Sequence, residues 1–183
     1  MALMHTPTAE LGAKCPDFSL PGLDGKNYSL KDFKNGHSLV VMFICNHCPY
    51  VKAIEERLIQ LGHDLKTMNV NVVAICSNDG ESYPEDSFEN LKKNYLAKKM
   101  PFYYLHDETQ EVAKNFGAVC TPDFFVYDKD LRLAYRGRLD DSWKEPTQVT
   151  KRELYEAVKL LEKNEAPKNQ MSSMGCSIKW LKD

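Results

Sequence analysis

No apolar run in the 183-residue sequence approaches the roughly 18 residues that a membrane span requires. The longest is the short stretch Leu39 to Ile44. There is no charge excess either: 24 basic against 26 acidic residues leave a formal charge of −2, so the basic footprint of a nucleic-acid binder is missing. Met1 to Ala13 has neither a basic start nor an apolar stretch of roughly seven residues, so no secretory signal is read there and a cytosolic location is expected. No internal repeat and no second domain are visible. What the sequence does have is six cysteines. A chain of this length buries an adequate core without disulfide staples, and a reducing compartment disfavours them. The thiols therefore call for packing, catalysis or metal binding as their explanation.

Along the chain, Phe18 to Leu20 and Asn27 to Leu30 flank Pro21-Gly22-Leu23-Asp24-Gly25-Lys26, a hairpin signal. Ser38 to Ile44 reads as a strand buried on both faces. Val51, Ile54, Leu58, Leu61 and Leu65 step by three and four, which makes one face of a helix ending near Thr67. Val70 to Cys76 is a second strand, placed to pair in parallel with the first through a right-handed crossover. Ser77 to Asp86 reads as a loop, Ser87 to Lys98 as a helix, Phe102 to Leu105 as a strand and Glu108 to Phe116 as a short helix. Phe124 to Tyr127 and Leu131 to Arg136 form a hairpin, and a last helix starts at Thr150, whose spacing to Glu153 fits a capping box. Residues 1–163 form an α/β domain with a mixed sheet. Residues 164–183 form a tail that carries Cys176, with Ile178 and Trp180 able to dock it.

The central motif is Cys45-Asn46-His47-Cys48, where the buried strand gives way to the amphipathic helix. Unpaired amides and the dipole at a helix start favour an anion, so Cys45 is expected as the thiolate. Cys48, one turn on, could then attack a mixed disulfide on Cys45. Protonated His47 could stabilise the thiolate, and Pro49 is tolerated in a first turn. Half a zinc site is the competing reading, but zinc needs a second ligand pair; no metal is assigned, although Cys45, Cys48, Cys120 and Cys176 together could compose a site. Val119-Cys120-Thr121-Pro122-Asp123 reads as a strand start.

Together these features resemble the thioredoxin superfamily. Gly12-Ala13-Lys14-Cys15-Pro16-Asp17-Phe18-Ser19-Leu20-Pro21, with Asp24-Gly25-Lys26 and Ser29-Leu30-Lys31-Asp32-Phe33, is similar to the redoxin (AhpC/TSA-like) branch. Cys45 to Val51, Cys120 to Phe125, Tyr135 to Asp141 and Gly175 to Trp180 resemble a peroxiredoxin-like subgroup. The resemblance implies a thioredoxin fold with an N-terminal hairpin and an inserted helix and strand. It makes Cys45 the attacking thiolate, Cys48 the resolving thiol, Pro122 a cis proline and Thr121 a substrate-binding residue through its backbone.

Two departures sharpen that reading. The Pro and Thr or Ser that peroxiredoxins carry seven and three residues before their reactive cysteine are Val41 and Cys45 when counted from Cys48, and Ser38 and Met42 when counted from Cys45. The buried acid and tryptophan before the first thioredoxin cysteine are here Leu39 and Ile44. The proton from Cys48 therefore needs another acceptor, with Asp79, Asp123 and His47 as candidates.

Cys120, two residues before Pro122, and Cys176 in the tail are accessory candidates. So are Asp123 and Arg136, since an arginine near the site could stabilise a thiolate. Cys15 and Cys76 read as packing residues. The sequence thus points to a thiol–disulfide oxidoreductase that acts without a cofactor on a protein or small-molecule disulfide and is served by a thiol electron donor. Neither nucleic acid nor membrane is expected as a partner, and oligomerisation is open. A thiol peroxidase and a thiolate metal-binding module are the alternatives.

Overall fold

The computed structural model describes residues 3–168 and 170–182. In chain order the elements are β1 (Leu3–His5), β2 (Ser19–Pro21), β3 (Asn27–Ser29), β4 (Leu39–Phe43), α1 (Pro49–Lys66), β5 (Asn71–Cys76), α2 (Phe88–Ala97) and β6 (Tyr103–His106). Then come α3 (Glu111–Phe116), β7 (Cys120–Thr121), β8 (Asp123–Tyr127), β9 (Leu133–Gly137), α4 (Glu153–Glu162) and β10 (Met174–Ser177). Among the described residues no helix is long and apolar enough to cross a membrane.

The central sheet has the order β6-β5-β4-β8-β9. β4 pairs in parallel with β5 and antiparallel with β8, the mixed sheet expected of a thioredoxin fold. β4 is buried along its whole length because each of its faces meets a separate apolar layer. Val40 and Met42 pack with Ile54, Leu58 and Leu61 of α1 and with Leu154 and Val158 of α4, while Leu39, Val41 and Phe43 pack with Phe116 and Phe125 on the other side. This is why β4 shows no polar alternation. The expected N-terminal hairpin is β2–β3, and α2 with β6 widens the sheet beyond β5.

One local expectation is corrected. The last helix begins at Glu153 with Arg152 as its N-cap. Thr150 does not cap it, because its amide and hydroxyl both bond to the Asp141 carboxylate, which holds the chain outside the helix. The first and last strands form, together with β7, a small sheet of order β1-β10-β7. β10 lies between β1 and β7, with Cys176 opposite Thr121 and Ile178 donating its amide to the Val119 carbonyl.

Glycine at 175 is what lets β10 approach so closely. A Cβ added there would meet the Thr121 carbonyl oxygen at 2.0 Å. Since the obstacle is backbone, which cannot swing aside, Gly175→Ala is expected to lower the unfolding free energy by about 1–3 kcal/mol and to speed proteolysis around residues 170–177. Urea unfolding and limited proteolysis measure both effects, and an alanine variant with unaltered midpoint and cleavage rate would show that β10 does not sit against β7.

Candidate active site

The junction after β4 sets the geometry. Pro49 has no amide proton and occupies the first helical position, where none is needed. The helix therefore starts after the second cysteine, and Cys48 is its N-cap. Cys45, Asn46 and His47 make the bend ahead of it. The sequence expectation put the helix start at Cys45 and Cys48 one turn inside; the favourable field falls on Cys48 instead.

Both sulfurs are almost fully buried, Cys45 at 2% exposure and Cys48 at 0%. Cys45 Sγ lies 3.3 Å from the Thr121 hydroxyl and 3.9 Å from His47 Nδ1. Cys48 Sγ lies 3.1 Å from the Thr121 carbonyl oxygen. The Thr121–Pro122 peptide is cis, so the two parts of the chain singled out by motif do meet at one place.

The thiols differ in charge preference. A hydrogen bond from the Cys45 thiol, helped by the nearby Cys176 amide, outweighs burial and brings Cys48 down to about 4, while the Val51 amide bonds the Cys48 carbonyl oxygen. Burial, the bond to Cys48 and the nearby Asp86 carboxylate push Cys45 well up. Of the two sulfurs, Cys48 is the one on which charge is favoured. Cys48 ionises more readily folded than unfolded, so its contribution to stability is complete above the ordinary thiol value of 9.0 and is lost as pH falls through about 4. Ultraviolet titration of the reduced protein is expected to show one thiolate persisting to about pH 4 and vanishing in Cys48→Ser. A first ionisation near the ordinary thiol range, about 8.5, would place the charge elsewhere.

Asp86 is the residue that sequence reasoning missed. It is fully buried and gathers four donors. The amides of Asn46 and His47 reach Oδ1 at 2.7 and 3.1 Å, and His47 Nδ1 and Asn78 Nδ2 reach Oδ2. Burial raises its proton affinity, but these bonds more than offset that and hold it below the ordinary value. Asp79, one of the proposed acceptors, is instead used at the start of the loop, bonding the amides of Glu81 and Ser82. His47 stacks on Tyr83, with ring centroids 5.0 Å apart. Cys45, His47 and Asp86 are also the one group able to hold a metal ion among the described residues, with ligand atoms within 4.8 Å of one another.

Residues 11–136 match the AhpC/TSA family. The chain belongs to that family. It is 27% identical over 124 residues to the thiol-disulfide oxidoreductase ResA of Bacillus thuringiensis subsp. konkukian (strain 97-27), a match covering 68% of this chain and 67% of the relative. A crystal structure of a conserved protein from Geobacillus kaustophilus superposes with a TM-score of 0.94 at 43% identity, covering 100% of this chain and 98% of that one. The thioredoxin domain of a thiol-disulfide oxidoreductase from Bacteroides vulgatus matches at TM-score 0.63 and 18% identity over 83% of this chain and 97% of that one, which shows the fold.

In this AhpC/TSA protein the accessory candidates separate. Asp123 and Arg136 bond to each other, with Nη2 to Oδ2 at 2.8 Å, and Arg136 also caps the Gly117 carbonyl and covers the Phe125 ring. Burial raises Asp123 to about 6 against the pull of Arg136. Cys120 Sγ lies 3.9 Å from the Pro122 carbonyl oxygen, and burial raises it to about 12. Cys15, also buried, is likewise raised to about 12, and burial raises Cys76 as well. Cys176 is different: its thiol hydrogen-bonds Cys48, and burial with that bond raises it to about 11. Beside Pro122 a cleft of about 420 Å³ is lined by Tyr50, Ile54, Phe124, Trp143 and Met171. Its Tyr50 and Trp143 rings, 4.8 Å apart, carried no sequence signal beyond composition.

Proposed function

We propose that this protein is a thiol–disulfide oxidoreductase whose Cys45 and Cys48 cycle between dithiol and disulfide. The observation that carries the reading is the meeting of the two sulfurs with Thr121 at the start of α1, with charge favoured on one sulfur and a histidine–carboxylate pair beside the other. The ResA similarity points the same way.

In the proposed cycle the Cys48 thiolate attacks a substrate disulfide, forming a Cys48–substrate bond and releasing one substrate thiol. Cys45 then displaces the second. Its proton leaves to the adjacent His47–Asp86 pair, where the carboxylate holds it, and a Cys45–Cys48 disulfide remains. An external thiol donor returns the pair to the dithiol. Substrate protein or peptide would seat apolar side chains in the cleft beside Pro122, where Tyr50 and Trp143 offer aromatic area.

A direct test compares turnover of insulin or a glutathione mixed disulfide with turnover of hydrogen peroxide. Disulfide turnover is expected, and peroxide turnover is expected to be minor, since Val41 and Cys45 stand where a peroxiredoxin carries its proline and threonine. The cluster of Cys45, His47 and Asp86 favours a second reading, a metal-binding module. Stoichiometric zinc or copper after purification without chelator, together with no disulfide turnover, would select it over the redox one.

A further inference from the structure

β10 occupies the edge of Thr121 that the resemblance reserves for substrate. Cys176 stands opposite Thr121 in the antiparallel register, and Gly175 brings the two backbones into direct contact. The amide and thiol of Cys176 both hydrogen-bond the Cys48 side chain. Cys176 is 3% exposed, and the strand that carries it is held on its other side by β1. A cysteine presented by an antiparallel strand beside the cis proline, with its sulfur against the reactive pair, has the arrangement of a tethered substrate.

We infer that Cys176 is a third redox thiol, which takes the disulfide from Cys45–Cys48 onto Cys48–Cys176 and so stores the oxidised state in the C-terminal strand. This rests on the dithiol cycle proposed above. The Cys176 sulfur attacks Cys48 Sγ, the Cys45–Cys48 bond breaks, the Cys48–Cys176 bond forms, and the proton lost by Cys176 is gained by Cys45. One disulfide replaces another, so no oxidant is needed beyond the substrate disulfide that oxidised the pair. Release of Cys45 as a thiol leaves β10 covalently closed over Cys48, which would shut the site until the donor reduces it.

The test is disulfide mapping by mass spectrometry of the full chain equilibrated with oxidised and reduced glutathione, in wild type, Cys176→Ser and Cys45→Ser. Wild type is expected to yield both Cys45–Cys48 and Cys48–Cys176 peptides. Cys45→Ser should yield Cys48–Cys176 as its major species, with the Cys48–glutathione adduct accumulating only when Cys176 is also replaced. Cys176→Ser should yield Cys45–Cys48 as the one disulfide among these three positions. Cys45–Cys48 in wild type with Cys176 fully reduced throughout would overturn the relay alone. Absence of any Cys45–Cys48 link in wild type and Cys176→Ser would overturn the dithiol cycle and the relay with it. Should Cys45→Ser fail to fold, the wild-type map still decides.

Discussion

Cys48→Ser is expected to abolish disulfide exchange, with a loss of about a thousandfold or more, the scale set by removing a covalent nucleophile. Three features make Cys48 the sulfur to remove. It sits at the N-cap position of α1, the Cys176 amide reaches it, and it accepts a hydrogen bond from the Cys45 thiol. Cys45 has the Asp86 carboxylate nearby and deep burial, both of which keep it protonated. With Cys176 also replaced by serine to remove the third thiol, Cys45→Ser is expected to trap glutathione on Cys48 as a stable mixed disulfide, whereas Cys48→Ser should trap little on Cys45. The reverse pattern would restore the order read from the sequence, in which Cys45 attacks first. The same charge placement has a thermodynamic consequence. Stabilising the thiolate stabilises the dithiol form, so the Cys45–Cys48 couple is expected to be more oxidising than thioredoxin, above about −270 mV.

Local pattern made most of the fold legible. The apolar run of β4, the three-four spacing of α1 and the hairpin around Asp128-Lys129-Asp130 are local statements about burial, and each element forms within a few residues of where its pattern lies. The motif at Cys45 to Cys48 was also legible as a strand-to-helix junction. Its electrostatics were not, because they turn on a single position: Pro49 opens the helix one turn later than a first-cysteine cap requires, and that moves the field from one sulfur to the other.

What stayed hidden is non-local. β10 is a four-residue strand, Met174–Ser177, with no alternating pattern, and it forms only because β1 and β7 supply edges from distant parts of the chain. A sequence reading could place Ile178 and Trp180 as docking residues, but not Cys176 opposite Thr121. Ile178 indeed enters the core, while Trp180 stays partly exposed near Lys114. Asp86 was hidden for a different reason. In Pro84-Glu85-Asp86-Ser87 it looks like one more acid ahead of a helix, the commonest and least informative place for one.

Asp86→Ala is expected to be the most destabilising single change at the site. The carboxylate is fully buried and holds the bend between β4 and α1 through two amides while it fixes His47 and Asn78. Removing it strands four donors, three part-buried and one buried, and takes the partner from the imidazole, a loss of about 3–5 kcal/mol on the scale of breaking one partner of a buried pair. The pH dependence has a definite sign. Asp86 ionises below its ordinary value of 3.8, so its contribution is complete above that value and is lost as pH falls through the lower folded one. The stability gap between wild type and Asp86→Ala should therefore be constant near neutrality and close only in acid, as measured by urea unfolding at a series of pH values. Asp86→Asn separates structure from chemistry, because it keeps one oxygen for the two amides while losing the charge. It is expected to fold, to form the Cys48–substrate mixed disulfide at an unaltered rate, and to resolve it more slowly, since the proton from Cys45 has no carboxylate to settle on. Resolution by Asp86→Asn at the wild-type rate would leave Asp86 as a scaffold for the bend and His47 without a proton-transfer partner.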